Sequence, residues 1–194
     1  MSNTQKLINF LKNNNGYVAT SDFLNMGISK PLIHNFVDDG FIRKVCLGLY
    51  IDNYLIEDEY YIIQKKYSNV VFSYNTAFYI LNLISEVPSD IDITTIRGKR
   101  IIGNYNIHYV TEKNFEIGLV EVLSPFGNPV KVYNAERSIC DMLRSENQFN
   151  LELQNKILDY YFNSNSKNID KLIEYSKKFN IYEKVKTIVE VMLK

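Results

Sequence analysis

The stretch Ser29-Lys30-Pro31-Leu32-Ile33-His34-Asn35-Phe36-Val37-Asp38-Asp39-Gly40-Phe41-Ile42-Arg43-Lys44-Val45 decides the fold of the first part of the chain. Serine caps helix N-termini, and a proline in the first turn loses nothing, because its missing N–H would have no partner there. At 100° per residue, Leu32, Ile33, Phe36 and Val37 cluster about one direction, whereas Pro31, His34, Asn35 and Asp38 point the opposite way with Lys30 at the edge. Gly40 closes this helix. Phe41–Val45 then reads as a strand, broken at Cys46-Leu47-Gly48 and resumed at Leu49–Ile51, which makes a hairpin.

Working upstream, Leu7, Ile8, Phe10 and Leu11 repeat at helical spacing, and Gly16 after the Asn13–Asn15 run reads as a stop. Thr20 or Ser21 caps a short second helix through Met26, which Gly27 ends. Three short helices followed by a hairpin is the order of a winged helix-turn-helix, assigned here to residues 1–54. The acidic segment Asp52–Glu59 has no clear period and marks the boundary.

Downstream the pattern changes. Ser73 caps a helix whose Ala77, Ile80, Leu81 and Ile84 form one face, with Pro88 as its end. The alternations Ile91/Ile93, Ile107/Tyr109, Leu119–Leu123 and Val130/Val132 read as strands, with turns at Gly98, Gly103 and Pro125-Phe126-Gly127-Asn128. From Asn134 onward everything reads as helical: one helix on Ile139, Met142 and Leu143, the next on Ile157, Leu158, Tyr161 and Phe162. Ile169, Leu172 and Ile173 carry another, and Tyr182, Val185, Ile188, Val189, Met192 and Leu193 the last. Residues 59–194 are therefore read as a mixed α/β domain ending in a helical C-terminal segment, and the chain as a whole as α+β.

Composition narrows the function classes. With 46% hydrophobic and 23% charged residues, the 194-residue chain has the make-up of a globular protein and not of a disordered one. Runs such as Val70–Phe72 and Phe78–Leu81 fall far short of the ~20 residues of a membrane helix. Cys46 and Cys140 cannot build a disulfide framework, and the N-terminus carries no basic-then-apolar leader, so a cytoplasmic protein is expected. Net charge is zero, and residues 1–54 carry five basic against four acidic side chains, so a nucleic-acid site must be local. Two histidines and two distant cysteines do not make a metal-ligand set, and no glycine loop cradles a phosphate; neither a metal nor a cofactor is expected.

The candidate sites follow from these placements. A recognition helix enters the major groove by its N-terminal half, which puts Ser29, Lys30, His34 and Asn35 at base edges or phosphates, with Asn able to pair bidentately with adenine. Arg43 and Lys44, in the strand before the turn, are placed to reach phosphates. Arg97, Lys99 and Arg100 around Gly98 suit a phosphate or an acidic partner, and suit an ordinary hairpin tip slightly better. Asp90 and Asp92 resemble the Asp-x-Asp strand of nucleotidyltransferases, but the upstream Gly-Ser pair is missing and there is no glycine between Gly48 and Gly98, so they read as a turn acid followed by a solvent-facing strand acid. On the helix from Ala135 to Arg144, Glu136 shares a face with Ile139, Cys140 and Leu143, and Arg137, Asp141 and Arg144 read as a charged surface ladder.

Several of these residues also carry a family resemblance. Gly16-Tyr17-Val18, Gly27-Ile28-Ser29, Asp39-Gly40-Phe41-Ile42-Arg43-Lys44-Val45 and Gly48-Leu49-Tyr50 resemble the N-terminal domain of AbiEi-type antitoxins. Phe72-Ser73, Thr76-Ala77, Pro88, Val132-Tyr133 and above all Glu136-Arg137-Ser138-Ile139-Cys140-Asp141 resemble that family's second domain. The resemblance implies a type IV toxin–antitoxin component of abortive infection that represses its own operon at inverted repeats. It implies further that the C-terminal domain, with Glu136, Arg137 and Asp141, counters a nucleotidyltransferase-like toxin without a stable complex, and that the chain is not an enzyme. Relatives often place Arg or Lys at the wing turn; Cys46-Leu47-Gly48 offers none, so a strong minor-groove contact from the tip is not implied. A monomer binding cooperatively to duplex DNA, with no membrane partner, is the expected mode. The alternatives are a metal-dependent nucleic-acid-modifying enzyme using Asp90/Asp92 and a winged-helix adaptor that binds protein.

Overall fold

The computed structural model describes residues 1–145 and 149–193 as a mixture of helices and two sheets, an α+β fold. The chain separates into two compact units: Met1–Ser68 with Leu123–Val130, and Asn69–Val122 with Lys131–Lys194. The boundary expected at residues 52–59 thus lies inside the first unit. The reason is local: a helix at Glu59–Lys66 follows the acidic segment and shares an apolar cluster with Tyr17, Leu49 and Ile51 through Tyr61 and Ile62.

The first unit runs α1 (Asn3–Asn13), β1 (Tyr17–Ala19), α2 (Thr20–Asn25), α3 (Lys30–Asp38), β2 (Ile42–Cys46), β3 (Leu49–Asp52) and α4 (Glu59–Lys66). Its antiparallel sheet has the order β1-β3-β2. Strand β1 is absent from the sequence reading; three residues show no alternation, and pairing with β3 alone makes them a strand. Helix α2 starts at Thr20, so neither Thr20 nor Ser21 is its cap; Asp22 accepts the Ala19 N–H at 2.8 Å instead. Both α2 and α3 end in Schellman motifs. After α3, the Gly40 N–H reaches Val37 O and the Phe41 N–H reaches Phe36 O, both at 3.0 Å, while the Phe41 ring meets the Phe36 ring edge-on. Gly40 supplies the positive φ of +74° that this ending requires. The core joins Leu7, Leu11, Val18, Phe23, Ile28, Ile33, Phe36 and Ile42.

The segment Leu123–Val130 is fastened within this unit by Asp58, which is 0% exposed. Its Oδ2 accepts the Ser124 hydroxyl at 2.5 Å and the Asn128 amide at 2.9 Å. Its Oδ1 caps α4 by accepting the Tyr61 N–H at 3.1 Å, and its own N–H donates to the Tyr17 hydroxyl at 2.7 Å. A buried carboxylate with this many donors is satisfied rather than stranded.

The second unit contains β4 (Val70–Phe72), α5 (Tyr74–Ile80), β5 (Ile91–Ile96), β6 (Tyr105–Val110), α6 (Glu112–Phe115) and all but one end of β7 (Leu119–Leu123) and β8 (Pro129–Tyr133), whose Leu123, Pro129 and Val130 belong to the first unit. The helices α7 (Ala135–Arg144), α8 (Leu151–Asn163), α9 (Ile169–Lys178) and α10 (Tyr182–Met192) complete it. The sheet order is β6-β5-β4-β8-β7, with β4 antiparallel to β5 and parallel to β8. Strands β5 and β6 are parallel. The loop bearing Arg97, Lys99 and Arg100 is therefore a return connection, not the hairpin tip that its composition suggests. Helix α5 ends at Ile80, well before Pro88, because Asn82 takes φ +58° and the Leu83 N–H bonds back to Phe78 O at 2.8 Å. Asparagine tolerates that conformation, so it acts as the stop. The core of this unit is built on α7, α8 and α9, through Ile139, Met142, Leu143, Ile157, Tyr161 and Leu172.

Candidate nucleic-acid interface

Helix α3 is held from behind and open in front. Ile33 and Phe36 are buried, with Phe36 near-parallel to Phe23 at 6.4 Å between ring centres. Lys30, Pro31, His34, Asn35 and Asp38 are all exposed on the opposite face, as the helical spacing predicts. Ser29 is the N-cap, but its hydroxyl makes no capping bond and stays exposed. Preceding α3, the turn from α2 is fixed by Gly27 at φ +75° and by Lys6, whose ammonium donates to Met26 O at 2.9 Å. The two ends and the apolar face of α3 are thus set by the fold, and its polar face is left exposed.

The strand residues divide. Lys44 is exposed on β2. Arg43 is half-buried, and its guanidinium is already engaged, by an ion pair with Glu57 and by donation to Leu55 O at 3.0 Å. Glu57 and Leu55 thus compete with any phosphate for Arg43, whereas Lys44 is exposed. The turn after β2 presents Leu47, 93% exposed, so its tip is apolar.

In the second unit, Arg97, Lys99 and Arg100 are all exposed. Asp90 is exposed and accepts the Ser89 hydroxyl at 3.0 Å, whereas Asp92 is buried with its Oδ1 2.8 Å from His108 Nε2. Asp90 thus has the solvent position expected of it, whereas Asp92, expected to face solvent, is buried because His108 on the neighbouring strand supplies its partner. The Asp92–His108 pair has no counterpart in the sequence reading. It depends on β5 lying parallel to β6, with Thr94 opposite His108, and no local pattern announces that register. The His108 ring stacks on Tyr74 at 3.8 Å between centres and 25° between planes. Tyr74 itself sits at φ +50°, a costly conformation for an aromatic residue, and burial raises its hydroxyl pKa.

The residues Glu136, Arg137 and Asp141 lie on α7, and all three are buried. Arg137 is 0% exposed: Nε donates to Asp141 at 2.8 Å, and Nη1 donates to Asn114 O and Ile117 O at 2.8 and 2.9 Å. The rings of Tyr133 and Phe179 cover the guanidinium at 4.2 and 4.3 Å. Only Arg144 keeps the surface position of the expected ladder; the rest of that ladder is an internal network. Burial raises the Asp141 carboxyl pKa, opposed by Arg137. Glu136 accepts the Tyr161 hydroxyl and the Asn168 N–H, each at 3.1 Å. Gly118 makes this packing possible, since a Cβ there would lie 2.4 Å from Arg137 Cβ.

No protein-family model matches the chain. No curated protein matches it in sequence. Among solved structures it resembles the crystal structure of the RV2827C protein from Mycobacterium tuberculosis, with a TM-score of 0.59 at 11% identity, over 90% of this chain and 71% of that one. At that identity the likeness concerns the fold alone.

Proposed function

We propose that the first unit is a winged helix-turn-helix that binds duplex DNA through α3, and that the chain is a DNA-binding autorepressor and antitoxin of the abortive-infection type. The observation that supports DNA binding is the exposed row Lys30, His34 and Asn35 on a helix whose opposite face is locked by Ile33 and Phe36. A cation, an imidazole and a carboxamide, presented rigidly from one helix face, match phosphates and the donor–acceptor pattern of the major groove. Lys44, exposed on β2, adds a phosphate contact. The modest charge of the unit makes two copies on repeated half-sites the expected mode.

The antitoxin assignment rests on the resemblance of the Glu136-Arg137-Ser138-Ile139-Cys140-Asp141 block and not on a surface contact, since Glu136, Arg137 and Asp141 are internal. In this reading the block holds α7 in place, the protein neutralises a nucleotidyltransferase-like toxin without a stable complex, and it has no catalysis of its own. A reporter driven by the DNA upstream of the gene, read beside survival of cells expressing the neighbouring toxin, tests both halves. The triple variant K30A/H34A/N35A is expected to lose repression and keep protection. Full repression by that variant contradicts the DNA half, and loss of survival with the wild-type chain contradicts the antitoxin half.

A further inference from the structure

The second unit contains a recess that the DNA reading does not use. It has a volume of about 300 Å³ and is lined by Tyr74, Asn75, Asp92, Asn106, His108 and Phe149, with Ile107 between. Asp92 and His108 form its polar wall, with side chains 6% and 15% exposed. Thr76 holds the Asp92 backbone from behind, its hydroxyl accepting the Asp92 N–H at 2.8 Å. The Tyr74 ring is stacked on His108 and lies near-parallel to Phe149, 6.2 Å between centres and 17° between planes. Asn75 Oδ1 is buried and accepts no hydrogen bond among the described residues. The terminal torsion of a carboxamide is broad and close to twofold, so a half-turn presents either Oδ1 or Nδ2 to the recess.

We propose that this recess binds the hydrogen-bonding edge of a purine or pyrimidine base, held by Asn75, Asn106 and the Asp92–His108 pair. The inference stands independently of the DNA reading. A carboxamide offers donor and acceptor side by side, the complement of a base's amino group and adjacent ring nitrogen. The Asp92 carboxyl oxygens accept hydrogen bonds, which favours the amino-bearing bases over uracil. An apolar ligand would cover the Asn75 and Asn106 amides without offering them a partner. A guanidinium would satisfy Asp92 but, having no acceptor, would leave the amide N–H groups unpaired. The volume lies at the small end of ligand pockets, suited to one base or nucleoside.

The shared chemistry is the base, whether on a free nucleoside or in a single strand. The full-length chain is titrated calorimetrically with adenosine, guanosine, cytidine, uridine, guanidinium chloride and a short mixed-sequence single-stranded oligonucleotide. An amino-bearing nucleoside or the strand is expected to bind with a Kd at or below about 1 mM. Asn75→Ala and Asn106→Ala are each expected to weaken that binding about tenfold. Asn106 is exposed, so its variant keeps the wild-type melting temperature and decides the matter if the Asn75 variant unfolds. Nucleoside binding assigns a free ligand; binding of the strand alone, lost in N106A, assigns a nucleic-acid base. The proposal is overturned by absence of binding in every nucleoside and strand arm, by affinity unchanged in N106A, or by guanidinium binding as tightly as the nucleosides.

Discussion

Arg137 donates through Nε to Asp141 Oδ2 at 2.8 Å, four residues along α7, with its guanidinium enclosed between the rings of Tyr133 and Phe179. The spacing alone is that of a solvent-facing pair worth a few tenths of a kcal/mol. Burial changes its meaning, since each partner now keeps the other from being an uncompensated charge in the core. Arg137→Met or Asp141→Asn is therefore expected to cost about 3–5 kcal/mol in urea unfolding at neutral pH. The double variant should lose less than the sum of the two. Single variants within ~0.5 kcal/mol of wild type, the range of ordinary surface changes, would contradict the account of α7.

Alkaline pH offers a second test. Burial pushes the Cys140 thiol up to about 12, with the Asp141 charge adding to the rise. Burial likewise raises the hydroxyls of Tyr133 and Tyr161 above the ordinary 10.0, with Glu136 adding to the rise at Tyr161. The folded state thus holds protons that the unfolded chain releases. Its stability from these groups is whole below the unfolded thiol value of ~8.5 and falls as pH rises toward about 12. Circular dichroism and tyrosinate absorbance should change together in one cooperative transition within that window. Smooth tyrosine titration at ordinary pH, with the helical signal intact, would argue against these burials. At neutral pH, Cys140 should remain silent toward thiol reagents in the folded chain.

Glu57 holds Arg43 in an exposed ion pair, which contributes little to stability in such a setting. Glu57→Gln should leave the unfolding free energy within about 1 kcal/mol of wild type. Freed from its partner, Arg43 can engage a phosphate, so DNA binding should tighten severalfold and its dependence on log salt should steepen by about one. Weaker binding by this variant would place Arg43 outside the interface.

Much of the first unit is legible from sequence because its signals are local. Ser29, Pro31 and Gly40 bracket α3, and the spacing of Ile33 and Phe36 predicts which face is buried. Strand β1 is not legible, since Tyr17–Ala19 becomes a strand only by pairing with β3. The return loop at Arg97–Arg100 looks like a hairpin tip, because nothing within it reveals that β5 and β6 run parallel. Arg137 and Asp141 read as surface residues for the same kind of reason. Their partners at Asn114, Ile117 and Phe179 lie tens of positions away, and a polar residue's burial is decided by the partners that satisfy it. The exposed face of α3 is the part of the site that the helical period does specify, and the availability of Arg43 is the part it does not.

The most direct test of the central claim is the affinity of the full-length chain for a fluorescent duplex from upstream of its gene, measured by anisotropy across a series of salt concentrations. Wild type should bind with an affinity that falls as salt rises, and Asn35→Ala should cost about 1–3 kcal/mol and relax preference at one base pair. Lys44→Ala should weaken all sequences alike and lower the salt slope by about one. Wild-type affinity and wild-type salt dependence in the combined K30A/H34A/N35A/K44A variant would contradict the claim that α3 and β2 form the DNA interface.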